Sequence, residues 1–292
     1  MRDSFDEILT RDRPLAALTT WRIGGLARRF YEPRNAKEAA GLLAALEAAG
    51  QGWRVLGGGA NVLIDDRPHE TPFVSPARLQ EFTIDGRLVT VGAGTSFPKV
   101  VADTVAQGLA GCEVLAGVPG QMGGICVMNA GGRHGEVKDV VDWLEIARLT
   151  GEVERLSADA CHFGYRSSRL GPGLVCRVGL ELARTDDVAA LRRYSGAILK
   201  AKAASQPLRE PSGGCCFANP SPELSAGQLI DELGLKGTTR GDAAISDKHA
   251  NFIVNRGEAR FDEVLELMEL IERRALDERG IRLRRETAVW RA

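Results

Sequence analysis

The chain has 292 residues, of which 44% are hydrophobic and 26% are charged, a composition typical of globular domains rather than disordered segments. A chain of this length can form about two domains, each with its own hydrophobic core. The formal net charge of -1 argues against a nucleic-acid or membrane-surface role, because both usually need a clear basic excess. We therefore expect a small-molecule partner.

Charged residues are frequent between Met1 and Arg13, and no stretch approaches about eighteen apolar residues without a charge. The sequence therefore predicts neither a signal peptide nor a membrane-spanning helix, and we expect a cytoplasmic protein. The six cysteines show no C-x-x-C spacing, and the four histidines show no metal-ligand spacing. Six reduced thiols and no metal site are expected.

The first predicted helix covers residues 36–49, because Asn35 is placed to cap its start and Gly50 follows its last turn. Residues 53–56 predict a strand that leads into a glycine cluster, and residues 62–64 predict the next strand. Together these elements predict one α/β unit.

A strand is predicted at 88–92, followed by a helix that begins at Ser96 with Pro98 in its first turn and continues to about Leu109. The segment 125–182 is rich in strand-forming residues and favours an antiparallel or mixed sheet. Its strands are predicted at 125–128, 143–149 and 174–182. Two further helices are predicted at 188–204 and 262–279, the second from its amphipathic spacing.

Two glycine-rich stretches are the most informative feature of the chain. The first is Gly57-Gly58-Gly59-Ala60-Asn61, and the second, residues 117–135, holds seven glycines in nineteen residues. Average composition would supply about one or two there. Such clusters occur where backbone amides approach a ligand closely or where φ is positive, and a nucleotide phosphate is the expected ligand. Tight turns without a ligand remain the alternative.

The two best-known phosphate-binding templates do not fit these stretches. Val62 stands where the dinucleotide fingerprint G-x-G-x-x-G needs its last glycine, and no G-K-[ST] motif occurs anywhere in the chain. A plain Rossmann fold or P-loop is therefore disfavoured.

Several motifs in a fixed order carry a resemblance to a known family. They are TTWRIGG at 19–25, GGGAN at 57–61, AGVPG at 116–120, MNAG at 128–131, YRSS at 165–168, QPL at 206–208 with 211–220, AGQLI at 226–230, GLKG at 234–237, and 246–255. Read together, they resemble the UDP-N-acetylenolpyruvoylglucosamine reductase family of peptidoglycan precursor synthesis, from about Thr19 to Trp290.

The resemblance implies an α+β flavoprotein with the FAD-binding fold of the vanillyl-alcohol-oxidase (PCMH) type. The FAD-binding domain would cover residues 1–185, with subdomains at about 1–75 and 76–185, and a C-terminal α+β substrate-binding domain would cover 186–292. FAD would be held noncovalently, with NADPH as hydride donor. The residues implied in cofactor binding are Gly57, Gly58, Gly59, Ala60, Asn61, Gly117, Val118, Pro119, Gly120, Gly123 and Gly124.

Three residues match catalytic positions of the family. Arg166 would stabilise the substrate carboxylate as negative charge develops, which suits a planar guanidinium. Glu286 would assist the same intermediate. Cys215 stands where the family most often has serine and would protonate the carbanion, which a thiol can do because it is more acidic than an alcohol. The alternatives are a surface arginine, an exposed strand glutamate and an inert packed thiol.

Substrate contacts are implied for Tyr165 and Asn219 near the UDP-sugar and for Lys202 near its phosphates. A solvated helix face explains Lys202 equally well. Whether Lys248 and His249 touch substrate or hold their loop stays open, and Asp242 replaces a common family glycine in a turn. The expected partners are the UDP-sugar and NADPH, without nucleic acid or membrane. The oligomeric state is undetermined, with a monomer marginally favoured.

Two other functions remain open. The chain could be a flavin oxidoreductase of the same fold that oxidises a sugar or lactone and passes electrons to oxygen. Such enzymes share the glycine loops but lack the combination of Tyr165-Arg166 with Cys215 and Glu286. Alternatively, the cysteine at the acid position could mark a flavin-bound module without turnover.

Overall fold

The computed structural model describes residues 5–292, which form two compact units. The first unit is built from the described residues up to Asp12 together with 29–58 and 71–200, and the second from 13–28, 59–70 and 201–292. The predicted assignment of 1–185 to cofactor binding and of 186–292 to substrate binding concerns function and stays a prediction.

Six α-helices are assigned within residues 5–292: α1 Ala36–Ala48, α2 Phe97–Ala106, α3 Met122–Val127, α4 Val188–Ser205, α5 Ala226–Glu232 and α6 Phe261–Arg279. Short 3-10 turns lie at Asp6–Ile8, Ala16–Leu18, Glu113–Leu115, Val137–Asp139 and Asp159–Cys161. The strands of the N-terminal half are β1 Leu9–Pro14, β2 Leu26–Tyr31, β3 Arg54–Val55, β4 Val62–Ile64, β5 Phe73–Val74, β6 Phe82–Asp85, β7 Leu88–Gly92 and β8 Leu109–Ala110. The remaining strands are β9 Gly131–Gly132, β10 Gly135–Glu136, β11 Val141–Ala147, β12 Val153–Ser157, β13 Leu174–Glu181, β14 Ala183–Arg184, β15 Thr239–Arg240, β16 Ala243–Ile245, β17 Ile253–Asn255 and β18 Ala288–Trp290.

The main sheet of the first unit is antiparallel, with the strand order β12-β11-β13-β7-β6. Its central strand β13 is buried along most of its length, and the larger core joins the sheet to α2 and α3. A smaller core packs α1 against Leu174, Cys176 and Ala147. The prediction of an antiparallel or mixed sheet is confirmed, and the sheet is antiparallel.

Helix α1 begins and ends where the sequence predicts. The Asn35 side chain accepts a hydrogen bond from the backbone N–H of Glu38 at 2.9 Å, which satisfies an amide that the first turn cannot pair. Gly50 has φ +62° just after the C-cap, a conformation that glycine adopts without steric cost.

The predicted strand at 125–128 is wrong, because these residues belong mostly to α3. Met122, Ile125 and Cys126 are buried at the i, i+3, i+4 spacing of a helix face. A Cβ on Gly123 would lie 3.0 Å from the Ala93 Cβ, so glycine lets this helix approach the sheet closely. A short apolar run does not show whether its residues follow the period of a helix or of a strand, so its secondary structure depends on tertiary packing.

The predicted α/β unit around the first glycine cluster is also wrong. Strand β3 pairs in parallel with β5 in the sheet β1-β2-β5-β3, whereas β4 pairs in parallel with the C-terminal strand β18. The two strands that flank the glycine turn thus belong to different sheets. Local pattern identifies such strands but does not identify a partner more than two hundred residues away.

The second unit contains the antiparallel sheet β15-β16-β17, packed with α5 and α6. Buried Trp21 belongs to this core, and its indole N–H donates to the Ile253 carbonyl at 2.8 Å. Gly241, with φ +50°, and Asp242 form the two-residue connection between β15 and β16. The Asp242 carboxylate accepts from the backbone N–H of Glu258 at 2.7 Å, so this turn accommodates aspartate.

Candidate active site

The two glycine-rich loops touch each other inside the first unit. A Cβ on Gly58 would lie 3.2 Å from the Gly120 Cα and 3.3 Å from the Gln121 nitrogen, so glycine is needed for the approach. Gly117 and Gly120 have φ of +75° and +118°, which side chains disfavour. The pairing of Ser96 with Gln121 and the Phe97 N–H to Gly120 O bond of 3.0 Å hold the second loop in place.

Four of the predicted cofactor glycines fall into two groups. Gly59 and Gly123 are explained by packing, because a Cβ would strike the backbone of Leu18 and Thr19 at Gly59 and the Ala93 side chain at Gly123. Gly57 and Gly124 are not, since a Cβ at Gly57 would meet only Gln121 Oε1 at 3.4 Å, and at Gly124 nothing within 4 Å. The space beside these two residues is compatible with a ligand.

The Gln121 side chain supports the same interpretation. Its Oε1 is buried, and no residue in the range 5–292 donates a hydrogen bond to it. Buried acceptors in native proteins are almost always paired, so a ligand or water is expected to supply the donor. The close loops, the space at Gly57 and this acceptor are compatible with a dinucleotide such as FAD.

Other members of the predicted cofactor set have varied surroundings. Val118 is half-buried against the larger core, whereas Pro119 is exposed, and Ala60 is half-buried. In the second unit, the Asn61 amide donates to the Glu286 carbonyl at 3.1 Å, and the Ala288 N–H donates to Asn61 O at 3.1 Å. Asn61 therefore holds the segment that runs from Glu286 into β18.

Arg166 lies in a tight turn of the first unit that begins at Gly164 and ends at Ser167. The Gly164 N–H donates to Ser167 O at 2.9 Å, and the Ser167 N–H returns to Gly164 O at 3.2 Å. Within this turn Arg166 has φ +53°, which non-glycine residues rarely adopt. Residues with strained backbone conformations are frequent in functional sites, which agrees with the predicted catalytic role of Arg166.

The Arg166 side chain is mostly buried and contacts both backbone and a carboxylate. It donates to Gly131 O at 2.8 Å, and its guanidinium lies 3.9 Å from Glu136 Oε1. Fully buried Asn129, which the sequence analysis did not select, donates to Glu136 Oε2 and to Gly164 O, both at 2.9 Å. Asn129 thus connects the carboxylate beside Arg166 to the turn that holds it.

Tyr165 precedes Arg166 and is half exposed, with the guanidinium 5.1 Å from its ring centroid. An exposed aromatic ring next to a held guanidinium provides an apolar face and a charge to a bound molecule.

In the second unit, the segment from Cys215 to Phe217 is fixed mainly by Asn251. The Asn251 amide pairs with both polar groups of the Phe217 backbone, accepting from N–H at 3.0 Å and donating to C=O at 2.8 Å. The Asn251 carbonyl also accepts from the Cys216 N–H at 2.8 Å. Asn251 is buried and lies in a matching motif, although the sequence did not reveal this role.

Backbone pairing brings the segment around Glu286 next to the cysteines. The Glu286 N–H donates to Cys216 O at 2.8 Å, and the Thr287 N–H reaches the same carbonyl at 3.4 Å. Two consecutive amides facing one carbonyl is the arrangement of a β-bulge, which redirects side chains. The Arg285 guanidinium binds Glu272 of α6 through two contacts of 2.6 Å, so Arg285 is occupied by a structural pair.

Cys215 and Cys216 differ in their surroundings. Cys216 is fully buried, and burial raises the pKa of its thiol to about 12. Cys112, Cys126, Cys161 and Cys176 are also buried, whereas Cys215 is partly accessible. Gly214, with φ +78°, precedes it, and a Cβ on Gly213 would clash with the Trp21 ring. Cys215 is therefore the accessible thiol among these six cysteines.

Two predicted substrate residues differ in their hydrogen bonding. The Asn219 Oδ1 accepts from the Ala226 N–H at 3.1 Å and so supports the start of α5. Lys202, near the end of α4, is half-buried without a carboxylate within ion-pair distance in residues 5–292, and burial lowers its pKa. A half-buried ammonium in these surroundings is compatible with an anionic ligand.

The contacts of Lys248 and His249 favour a role in holding their loop. The Lys248 ammonium donates to Ala203 O at 2.5 Å in the last turn of α4, where a cation is favourable. The His249 Nδ1 accepts from the Asn251 N–H at 3.3 Å, and its ring packs on Phe252. Burial lowers the pKa of His249, which favours the neutral ring.

No helix within residues 5–292 is long and apolar enough to cross a membrane.

Family models match both parts of the chain. The one described as "FAD binding domain" matches residues 27–157, and the one described as "UDP-N-acetylenolpyruvoylglucosamine reductase, C-terminal domain" matches residues 206–290.

Curated relatives and solved structures agree with these matches. A UDP-N-acetylenolpyruvoylglucosamine reductase of Heliobacterium modesticaldum is 38% identical over 282 residues, covering 96% of this chain and 90% of the relative. One from Anaeromyxobacter dehalogenans is 40% identical over 281 residues, covering 96% and 84%. The crystal structure of the corresponding reductase from Thermus caldophilus has a TM-score of 0.84 at 36% identity and covers 97% of this chain and 98% of its own.

A more distant structure shows the fold alone. A variant of Phl p 4, a glucose oxidase, has a TM-score of 0.50 at 16% identity over 61% of this chain and 41% of its own. The predicted α+β class with an FAD-binding PCMH-type fold is confirmed.

Proposed function

The chain belongs to the UDP-N-acetylenolpyruvoylglucosamine reductase family, and on this premise we propose that it reduces the enolpyruvyl ether of UDP-N-acetylglucosamine-enolpyruvate to UDP-N-acetylmuramate with NADPH. As a member of this family it is an FAD-dependent oxidoreductase of peptidoglycan synthesis. We place its activity in the cytoplasm. Residues 1–185 bind the cofactor in this proposal, and residues 186–292 bind the UDP-sugar.

When bound, FAD supplies hydride transfer from NADPH to the terminal carbon of the enolpyruvyl group. The loops at 57–61 and 117–124 hold its diphosphate through backbone N–H groups, which is supported by their close approach and by the space beside Gly57 and Gly124. These residues position the cofactor and do not take part in proton transfer.

The remaining residues act on the substrate. Negative charge develops beside the substrate carboxylate, where the held guanidinium of Arg166 stabilises it. Glu286 assists at the same carboxylate, and the Cys215 thiol donates a proton to the inner carbon, becoming a thiolate that solvent reprotonates. Lys202 neutralises the phosphates of UDP, and Tyr165 and Asn219 contact the UDP-sugar.

One observation supports this assignment most strongly. The backbone bond of 2.8 Å from Glu286 N–H to Cys216 O brings two predicted catalytic segments together from positions about seventy residues apart in the chain. Asn251 and Asn61 hold the two segments in place from either side of this bond.

The reaction is tested by the colour of the flavin. Purified protein should carry FAD, lose its flavin absorbance on addition of NADPH without oxygen, and regain it within one turnover when the enolpyruvyl UDP-sugar is added. An oxygen-dependent sugar oxidase would instead be reduced by an aldose or aldonolactone and reoxidised by oxygen. Reduced flavin that is not reoxidised by the enolpyruvyl substrate would contradict the proposal.

The role of Cys215 is tested by two substitutions. Cys215→Ser should keep substantial activity, because a hydroxyl can also donate the proton, whereas Cys215→Ala should slow carbanion protonation at least about 100-fold. The rate is measured as formation of UDP-N-acetylmuramate in single turnovers, because flavin reoxidation reports the hydride transfer that precedes protonation. An alanine variant as fast as the parent would remove Cys215 from the mechanism.

A thiol reagent provides the matched control. Iodoacetamide should inactivate the parent but not Cys215→Ser, because the other five cysteines are buried, and the UDP-sugar should protect. Equal inactivation of both proteins would place the reactive thiol elsewhere.

A further inference from the structure

The Gln121 side chain carries a buried acceptor that the fold does not use. Its Oε1 receives no hydrogen bond from residues 5–292, and the Cβ position of Gly57 lies 3.4 Å away. Proteins rarely leave such a group without a donor, because the lost hydration is not recovered.

The backbone around Gln121 holds this acceptor in a defined place. Gln121 pairs with Ser96, and on either side the Phe97 N–H donates to Gly120 O at 3.0 Å and the Met122 N–H donates to Thr95 O at 2.9 Å. The backbone of Gln121 is therefore fixed, and it cannot shift to carry the side chain towards solvent. A fixed acceptor selects for a donor on the molecule that binds beside it.

The position of the acceptor limits which part of FAD can lie against it. The backbone N–H groups of the glycine loops can donate to the phosphate oxygens of FAD. The Gln121 Oε1 cannot, because it and the phosphate oxygens are all acceptors and repel each other. The groups of FAD that can donate close to its diphosphate are the hydroxyls of the ribityl chain and of the adenosine ribose, which flank it.

We propose that Gln121 Oε1 accepts a hydrogen bond from a sugar-type hydroxyl of FAD that flanks the diphosphate. Gln121 is then a cofactor-binding residue. Its Oε1, next to Gly57, lies beside the junction between the diphosphate and the hydroxyl-bearing part of FAD. This inference rests on FAD binding by this chain and is independent of the roles of Arg166, Cys215 and Glu286.

Two substitutions test the proposal through FAD affinity, measured by quenching of flavin fluorescence on titration into flavin-depleted protein. Gln121→Met keeps the length of the side chain but has no comparable acceptor, and it should weaken FAD binding about tenfold or more. Gln107→Met, at an exposed position, should change nothing and serves as control.

The melting temperature of the flavin-depleted protein separates a ligand contact from a structural one. Gln121→Met should melt at the same or a higher temperature than the parent without FAD, because it removes a buried acceptor that has no donor among the described residues 5–292. With FAD it should gain less than the parent. A lower melting temperature without FAD, together with unchanged FAD affinity, would overturn the proposal.

If Gln121→Met binds FAD as tightly as the parent, Oε1 makes no contact with the cofactor, and the proposal is wrong. If the parent itself takes up no FAD, the failure lies in the proposed function and not in this inference.

The two hydroxyl sources are distinguished with fragments. FMN carries the ribityl chain and ADP carries the ribose, and each can be titrated as a competitor against FAD. A loss of affinity in Gln121→Met that is shared with FMN assigns the bond to a ribityl hydroxyl, and one shared with ADP assigns it to the ribose. Unchanged affinity for both fragments would overturn the hydroxyl assignment.

Discussion

At the scale of single residues, the backbone conformation of Arg166 is stronger evidence for a functional role than its side-chain contacts are. The left-handed conformation costs a residue with a Cβ about 1–2 kcal/mol, yet an arginine occupies the position in the Gly164–Ser167 turn where φ is +53°. Glycine would avoid that cost. A side chain kept there against its conformational preference is consistent with a role that needs the guanidinium.

We expect Arg166→Gly to be more stable than Arg166→Ala by about 1 kcal/mol, because both lose the guanidinium but only alanine keeps the strained Cβ. Both should lose at least about 100-fold in activity. Chemical denaturation measures the stabilities. At exposed Arg169, where φ is negative, the order should reverse, with glycine less stable than alanine. Equal stabilities at position 166 would mean that its backbone is not strained.

Lys202 offers a pH-dependent test. Burial lowers its pKa below the ordinary 10.5, so the folded protein releases this proton at lower pH than the unfolded chain does. The unfolded chain then binds more protons in that window, and the contribution of Lys202 to stability rises as the pH increases towards 10.5.

Lys202→Met should therefore leave the flavin-containing protein without substrate equally stable or more stable at pH 7, and this advantage should shrink as the pH rises. The same variant should raise KM for the UDP-sugar about tenfold or more, because it loses a charged contact to phosphate. Lys200→Met, at an exposed position, is the control. An unchanged KM would mean that Lys202 does not contact the phosphates and only lies on a solvated helix face.

At the scale of elements, the catalytic proposal depends on short segments that side chains hold in extended form. The segment Cys215–Phe217 contains no assigned strand, yet it bridges Phe217 to Arg285 and pairs with the Asn251 side chain. An amide side chain that bonds both N–H and C=O of one residue acts as a neighbouring strand would. The sequence predicted the residues of this segment, but not the support that orients them.

Asn251→Ala should destabilise the protein by roughly 2–4 kcal/mol, because it leaves the buried N–H and C=O of Phe217 unpaired. It should also change the rate at which Cys215 reacts with iodoacetamide, since the segment loses its support. Gln228→Ala, which removes an exposed amide, should cost less than about 0.5 kcal/mol. A destabilised variant with unchanged thiol reactivity would separate Asn251 from the position of Cys215.

At the scale of the whole molecule, the compact units do not follow chain order. Residues 13–28 and 59–70 belong to the same unit as the C-terminal residues, where β4 pairs with β18 and Trp21 enters the core. The QPL and SDKHAN motifs and the early TTWRIGG motif thus serve one unit. Their order in the sequence indicates a family, and their positions in the fold explain why they occur together.

Removal of FAD should lower the stability of the protein, because a ligand that binds the folded state stabilises it in proportion to the logarithm of its concentration. At 100 times its dissociation constant the gain is about 2.7 kcal/mol. Calorimetry of flavin-depleted protein with increasing FAD measures the shift in melting temperature. Riboflavin, which lacks the diphosphate, should produce a smaller shift at equal concentration. A melting temperature that does not respond to FAD would contradict binding to the folded chain.

The sequence alone determined what depends on local pattern and on residue identity. Helices α1, α4 and α6 follow from spacing and caps, the glycine content indicated a nucleotide, and the ordered motifs indicated the family. Such properties are readable because a cap, a helical face or a glycine turn acts within a few residues of itself.

Only the tertiary structure decided which distant segments meet. It made 122–127 a helix, paired β4 with β18, placed the segment around Glu286 against Cys216 and left Gln121 Oε1 without a donor among residues 5–292. The physical reason is that strand pairing and packing depend on partners far along the chain. A short apolar run or a single polar residue can pack against several different partners, and the packing of the whole core determines which one it meets.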